Sequence, residues 1–150
     1  MDAPPRIFLD SSVLFAAAYS SSGSSRELIL LHLQGRVVIV LSPTVLEETR
    51  RNLVGKGGAS AEDVEVFLRG LGPEVVADAD PAQVDACASY INRTDAVVLA
   101  AAMRARVACL VTWDRRHFID DPQVALRSGL TILTPDAVLK AIRSGRTEFR

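Results

Sequence analysis

Short apolar runs alternate with longer segments of helical pattern along this chain, and this alternation limits the fold more than any other feature. The runs have the length of strands and cover residues 7–9, 37–41, 74–77, 107–112 and 131–133. Strands that alternate with helices become parallel strands joined by right-handed crossovers. The sequence therefore predicts an α/β fold with a central, mostly parallel sheet, in which residues 74–77 form an edge strand.

Helix start and stop signals fill the segments between these runs. Helices are expected over residues 13–18, 25–34, 43–53, 60–69, 80–90, 95–105 and from 135 onward. Their expected N-caps are Asp10, Ser42, Ser60, Asp80, Thr94 and Thr134, three of which precede a Pro. No linker or internal repeat divides the 150 residues, so we expect a single domain spanning residues 1–150.

Composition excludes several classes of protein. The net charge of −1 argues against a strongly basic nucleic-acid binder but leaves room for local patches. Nearly all basic residues are Arg, which suits phosphate recognition or simply reflects codon bias. Cys87 and Cys109 are expected to be buried thiols in a reducing cytosol. The N-terminus lacks a signal-peptide pattern, and the apolar run at residues 96–103 is too short to span a bilayer, so a cytoplasmic protein is expected.

Four acids are expected to meet at one edge of the sheet. Asp10 and Asp114 directly follow apolar runs, whereas Glu48 and Asp95 lie in the opening turns of helices. The carboxyl ends of parallel strands and the starts of the following helices share the edge where ligands usually bind. Taken singly, Asp10 could instead be a simple N-cap.

The two helical acids differ in how clearly they face the core. Glu48 lies closer than Glu47 to the apolar face of its helix, by a modest difference in phase, and a helix dipole would favour either acid. Asp95 shares a stripe with Leu99 and Ala102, so its carboxylate is in line with the buried face. A capping bond to its own first turn is the alternative for Asp95.

A cluster of carboxylates without matching Lys residues predicts a cation. Two like charges about 5 Å apart repel by roughly 3 kcal/mol at an effective dielectric of about 20. Hard oxygen ligands suit Mg²⁺ or Mn²⁺, and such ions support phosphate chemistry. Asp120 and Asp121 read as loop acids, His117 is a weak candidate for a base, and His32 is expected on a helix face. No triad for nucleophilic catalysis is recognisable.

Four blocks, in this order and spacing, resemble the PIN-domain nucleases. The blocks are Phe8-Leu9-Asp10-Ser11-Ser12-Val13-Leu14, Ser42-Pro43-Thr44-Val45-Leu46-Glu47-Glu48, Thr94-Asp95-Ala96 and Thr112-Trp113-Asp114-Arg115-Arg116-His117-Phe118. The ending Gly129-Leu130-Thr131-Ile132-Leu133-Thr134-Pro135 is also similar to the close of such domains. The resemblance implies a three-layer α/β/α sandwich and Mg²⁺- or Mn²⁺-dependent cleavage of single-stranded RNA.

The resemblance also assigns roles to individual residues. It implies that Asp10, Glu48, Asp95 and Asp114 are the catalytic and metal-binding acids. Ser12, where many members have Asn, and Thr112 would support them. Contacts to the RNA backbone would come from Arg51, Arg115 and Arg116, for which ordinary surface charge is the alternative. Many members of this size are VapC-type toxins, which implies a cognate antitoxin and a homodimer.

Three other functions compete with this interpretation. A phosphoacceptor receiver domain would need paired acids after the first strand and Lys-Pro after the last, where this chain has Ser11-Ser12 and Thr134-Pro135. A phosphatase with an Asp nucleophile would want a second acid at position 12. The third alternative keeps the fold without catalysis, as a PIN-like scaffold that binds RNA or a protein partner.

Overall fold

The computed structural model describes residues 3–146 and 149, and its strands form one parallel sheet. The strands are β1 (Arg6–Leu9), β2 (Val38–Leu41), β3 (Glu74–Val75), β4 (Cys109–Val111) and β5 (Ile132–Leu133). The order across the sheet is β3-β2-β1-β4-β5, and every pair is parallel. The predicted parallel α/β fold is thus confirmed, and β3 lies at an edge as expected.

Helices cover the sheet in a three-layer α/β/α sandwich. Within the described residues they are α1 (Ser11–Tyr19), α2 (Ser24–Leu33), α3 (Pro43–Gly55), α4 (Ala61–Leu71), α5 (Pro81–Ala88), α6 (Arg93–Ala105), α7 (Arg115–Phe118), α8 (Pro122–Ser128) and α9 (Pro135–Arg143). Helix α1 packs against α2 and α3, and α5 packs against α6. None of these helices combines the length and apolarity that a membrane crossing requires.

The three central strands form the core of the sheet. Ile7, Phe8 and Leu9 of β1 are fully buried, as are all residues of β4. Parallel strands covered by helices on both faces are apolar at successive positions, which explains the continuous apolar runs of the sequence. Cys87 and Cys109 are free and buried, as predicted.

Three local predictions need correction. Asn92, not Thr94, caps α6, because its side-chain oxygen accepts a hydrogen bond from the Asp95 backbone N–H. Helix α1 begins at Ser11, directly after its cap Asp10, rather than at residue 13. The segment after β4 holds α7 and α8, two helices that the sequence pattern did not predict; Asp120 and Asp121 lie in the turn between them, and Asp121 is also the N-cap of α8.

His32 ties three elements together and is more than a helix-face residue. Its Nδ1 accepts a hydrogen bond from the Ile39 backbone N–H at 3.0 Å, and its Nε2 lies 2.8 Å from the Leu71 carbonyl oxygen. One neutral tautomer, protonated on Nε2, satisfies both contacts. The imidazole therefore joins α2 to β2 and to the end of α4.

Replacing His32 with Ala should destabilise the protein by about 1–3 kcal/mol, because a backbone donor and a backbone acceptor lose their partner. Urea unfolding would measure the loss. Leu33→Ala on the same helix is the matched control, since Leu33 is 57% exposed and should change stability little. Equal stability of the two variants would contradict the linking role of His32.

Candidate active site

The site is built where β1 and β4 end side by side. Leu9 pairs with Val111 in the sheet, and the Asp10 backbone N–H donates to the Val111 carbonyl oxygen at 3.1 Å. The next residues of both strands, Asp10 and Thr112, are therefore neighbours. Asp114 follows two residues later at the same edge, which is where parallel sheets usually bind ligands.

Asp10 is both the N-cap of α1 and a buried acid of the site. Its Oδ1 accepts hydrogen bonds from the Ser12 hydroxyl at 2.5 Å and from the backbone N–H groups of Ser12 and Val13. Its Oδ2 accepts from the Thr112 hydroxyl at 2.5 Å. Burial raises the pKa of this carboxyl to about 6, although these hydrogen bonds act in the opposite direction. The capping and functional interpretations of Asp10 are therefore compatible.

Two hydroxyl groups connect Asp10 to the loop after β4. The Thr112 hydroxyl donates to Asp10 and accepts from the Asp114 backbone N–H at 2.9 Å. The Ser12 hydroxyl likewise contacts Asp10 and accepts from the Trp113 backbone N–H at 3.1 Å. Ser12 and Thr112 thus tie the chain that carries Asp114 to the Asp10 carboxylate.

Asp95, Asp114 and His117 form a close group of residues whose side chains are of types that bind metal ions. One ligand atom from each lies within 4.8 Å of the others. Asp114 caps α7, and its Oδ2 lies 2.8 Å from the His117 Nδ1, which is 3.8 Å from the Asp95 Oδ2. The side chain of Asp95 is 21% exposed, that of Asp114 is 31% exposed and that of His117 is 47% exposed.

The carboxylate of Asp95 is held by its own helix cap. The Asn92 amide donates to the Asp95 Oδ2 at 2.5 Å, while the Asp95 backbone N–H donates to the Asn92 oxygen. Burial is the main cause that raises the pKa of Asp95, and the negative charge of Asp114 raises it further. The hydrogen bond from Asn92 and the nearby His117 both lower this pKa, but they do not cancel the rise. The Asp95 carboxylate therefore faces its neighbours rather than the N–H groups of its first turn.

Glu48 lies toward α1 and Glu47 lies toward solvent. The Glu48 carboxylate is half-buried and accepts a hydrogen bond from the Ser11 hydroxyl at 3.0 Å. Glu47 is exposed, 3.9 Å from Arg51 one turn further along α3. The structure thus places Glu48 beside the residue that follows Asp10. Asp10 and Glu48 do not belong to the 4.8 Å group of Asp95, Asp114 and His117.

An open cleft of about 560 Å³ exposes this group. Its walls are formed by Tyr90, Ile91, Asn92, Thr94, Asp95, Asp114, Arg116, His117 and Asp121. Of the three Arg residues predicted to contact RNA, only Arg116 lines the cleft. Arg115 is exposed outside it, and Arg51 sits near Glu47. The cleft therefore offers three carboxylates, one imidazole and one guanidinium.

The donor set fits a divalent cation. Among residues 3–146 and 149, no Lys or Arg nitrogen lies within 4.0 Å of the carboxylates of Asp10, Asp95 or Asp114. Clustered and partly buried carboxylates without a cationic partner are unfavourable. Carboxylate oxygens suit Mg²⁺ and Mn²⁺, and the imidazole nitrogen adds a softer ligand.

His117 was undervalued from the sequence, although a signal for its position was present. Asp114 follows a strand and precedes a short helical segment, so it can cap that segment. A residue three positions after an N-cap lies over the cap. His117 occupies that position and thereby returns to Asp114. The pattern of an acid followed by His at the third position could have placed the imidazole in the site.

Replacing Asp10 with Asn should stabilise the metal-free protein at neutral pH. Folding raises the pKa of the Asp10 carboxyl from 3.8 to about 6, so the folded protein favours the protonated form of this group. Its contribution to the free energy of unfolding is therefore complete below pH 3.8, where the group is protonated in both states. That contribution is lost as the pH rises through 6, by about 3 kcal/mol in total. Asn keeps an oxygen acceptor for the cap but never ionises.

Urea unfolding in EDTA at pH 4 and pH 7.5 would measure this effect. The advantage of Asp10→Asn over the native protein should be larger at pH 7.5 than at pH 4. Asp120→Asn, at an exposed acid nearby, is the control and should show no such pH dependence. An advantage equal at both pH values would contradict a pKa raised by burial.

Comparison with known proteins agrees with the geometry. A family model described as the PIN domain matches residues 6–116. No curated protein matches the sequence. Among solved structures, VapBC2 from Rickettsia felis, bound to a DNA fragment from their promoter, matches with a TM-score of 0.64 and 16% identity, covering 86% of this chain and 98% of that one.

Two further structures share the fold. VapC20 from Mycobacterium tuberculosis, a sarcin-ricin loop cleaving toxin, has a TM-score of 0.55 and 17% identity over 79% of this chain and 94% of that one. PAE2754 from Pyrobaculum aerophilum has a TM-score of 0.61 and 16% identity over 93% and 96%. Since the family model covers most of the sequence, the chain belongs to the PIN domain family.

Proposed function

We propose that the protein is a metal-dependent endoribonuclease that hydrolyses phosphodiester bonds of single-stranded RNA. The observation that carries this proposal is the group of Asp95, Asp114 and His117 in an open cleft, without a Lys or Arg partner among the described residues. Membership of the PIN domain family supports it. Mg²⁺ or Mn²⁺ is the proposed cofactor.

The proposed division of labour follows the positions of the side chains. Asp95 and Asp114 would hold the cation, and Asp10 and Glu48 would complete the acidic site from the side of α1. When bound, the cation would polarise the scissile phosphate and promote ionisation of the attacking water. Arg116 on the cleft wall is placed to bind a phosphate oxygen through its guanidinium.

His117 has two proposed uses that exclude each other. As a ligand, its neutral Nδ1 would join the two carboxylates. Alternatively, the imidazolium form of His117 would act as a cation that relieves the repulsion between Asp114 and Asp95. The 2.8 Å contact to Asp114 serves either role in the absence of metal.

A scaffold that binds RNA or protein without cutting remains the second candidate. One observation favours it: both oxygens of Asp10 already accept hydrogen bonds from the protein, and the residue is only 6% exposed. An acid in that state is held away from a substrate. Cleavage measurements separate the two candidates.

The cellular role is proposed from the family and its structures. The fold shared with VapBC2 and with the toxin VapC20 supports a toxin of a toxin–antitoxin pair. We propose a cognate antitoxin as partner, a homodimer as the assembly and a cytoplasmic location. We also propose that residues 1–150 form a single PIN-like domain. Size-exclusion chromatography with light scattering would test the dimer directly.

The purified protein should cleave single-stranded RNA with Mn²⁺ or Mg²⁺ and stop when EDTA is added. Asp95→Asn and Asp114→Asn should lower the rate by about 100-fold or more, because each removes a proposed ligand charge. Gel analysis of end-labelled RNA would measure the rates.

Asp120→Asn, an exposed acid close in sequence to Asp114, is the matched control and should cleave at the native rate. Activity that persists in EDTA, or in both ligand variants, would exclude this mechanism. RNA binding without any cleavage by the native protein would favour the scaffold.

Cation binding can be measured independently of cleavage. Saturation with Mn²⁺ at about 100 times its dissociation constant should stabilise the folded protein by about 2.7 kcal/mol. Asp95→Asn should lose this stabilisation. If His117 is a ligand, His117→Ala should weaken Mn²⁺ binding more than Mg²⁺ binding, because imidazole favours the softer ion. Equal losses for both ions would assign His117 a charge role instead.

A further inference from the structure

A second cavity adjoins the acidic cleft and shares a wall with it. This cavity has a volume of about 280 Å³ and is lined by Gln83, Cys87, Met103 and Arg127, among others. Tyr90 lines both the cavity and the cleft of Asp95 and Asp114. The cavity is therefore within reach of any extended ligand that occupies the cleft.

Tyr90 is held in place by two sulfur atoms. Its hydroxyl lies 3.6 Å from the Cys87 Sγ and 3.9 Å from the Met103 Sδ, and the two sulfurs are 3.6 Å apart. Cys87 is buried in α5, and Met103 belongs to α6, so the ring is anchored to two packed helices. The phenol ring is a fixed wall rather than a mobile surface group.

The guanidinium of Arg127 lies over the Tyr90 ring. Its guanidinium carbon is 4.8 Å from the centroid of the Tyr90 ring, a distance at which cation–π attraction operates. Arg127 is exposed, and no carboxylate of the described residues lies within 4.0 Å of it. In contrast, five other Arg residues of the described chain have such partners. The Tyr90 ring thus positions the Arg127 guanidinium, whose positive charge can interact with a ligand.

The chemistry of the cavity matches an unpaired nucleobase. A base presents a flat apolar face that stacks on aromatic rings and on guanidinium planes, and an edge with hydrogen-bond donors and acceptors. The cavity offers sulfur atoms, the Tyr90 ring with the Arg127 guanidinium over it, and the Gln83 amide, which can both donate and accept. A simple anion would need only charge and would leave the apolar wall unused.

We infer that this cavity is a base-binding subsite for the nucleotide next to the phosphate held in the acidic cleft, with Arg127 stacked on Tyr90 as its platform. The inference rests on the proposed ribonuclease function, which supplies the phosphate position. It makes Arg127 and Tyr90 positioning residues that act through substrate orientation. Because a base in a duplex is stacked on both faces and paired along its Watson–Crick edge, the subsite selects single-stranded RNA.

Binding of a fluorescein-labelled oligo(U) RNA in EDTA tests the subsite without cleavage. Arg127→Gln and Arg127→Lys should both weaken binding, by about tenfold, because stacking needs the planar guanidinium and not charge alone. Arg69→Gln, which removes an exposed Arg at the end of α4, is the matched control for lost charge. Native affinity in Arg127→Lys would overturn the base-stacking role.

The RNA can be varied as well as the protein. An abasic oligonucleotide with the same phosphates should bind the native protein more weakly than oligo(U), and this preference should vanish in Arg127→Lys. Tyr90→Phe, which keeps the ring, should bind like the native protein, whereas Tyr90→Leu should not. Equal binding of abasic and normal RNA by the native protein would also overturn the inference.

Two measurements, an RNA cross-link to Tyr90 and the rate of RNA cleavage by Arg127→Gln, distinguish a failure of this inference from a failure of the proposed function. A photoreactive thiouridine in the RNA should cross-link to Tyr90, as peptide mapping by mass spectrometry would show. If the native protein cleaves RNA and Arg127→Gln cleaves equally well at subsaturating RNA, the subsite is wrong while the nuclease stands. If the native protein cuts nothing yet shows the cross-link and the Arg127 effects, the subsite stands and the nuclease is wrong.

Discussion

The pairing of β1 with β4 is the contact on which the rest of the site depends. It sets Asp10 beside Thr112, so that a single hydroxyl can donate to the Asp10 carboxylate and accept from the Asp114 backbone N–H. These two strands are about a hundred residues apart in sequence but are neighbours at the centre of the sheet. A shift of one residue in their register would reverse the faces of all following side chains and separate the acids.

The pairing of β1 with β4 also determines the surroundings of the buried Asp10 carboxylate. Folding buries Asp10 among neutral donors only, so its ionised form is stabilised by hydrogen bonds while its charge has no basic partner among the described residues. Nearby, the charge of Asp114 also disfavours the ionised form of Asp95. A cation at this edge would relieve both costs together, so folding stability and cation affinity are linked through one set of carboxylates.

The sequence was informative where function depends on topology and less so where it depends on side-chain contacts. Strand ends predicted that Asp10 and Asp114 lie at one edge, whereas helical phase favoured Glu48 over Glu47 only by a modest difference. The cap of α6 was misassigned to Thr94, because Ser, Thr, Asn and Asp compete for such positions and only the backbone path decides among them. Tyr90 and Arg127 come together only through the packing of α8, a helix that periodicity did not reveal.

The helix termini also change how substitutions in such a site should be interpreted. Asp10 and Asp114 each cap a helix, and Asp95 lies in the first turn of another, bonded to that helix's cap. A helix N-terminus stabilises an anion through its free N–H groups and its dipole, so these positions can hold a carboxylate before any cation binds. An Ala substitution at Asp10 or Asp114 would remove a cap and a proposed ligand together. Asn removes the charge and retains one oxygen for the cap, although its amide nitrogen replaces the second acceptor, so it separates helix capping from cation chemistry better than Ala does.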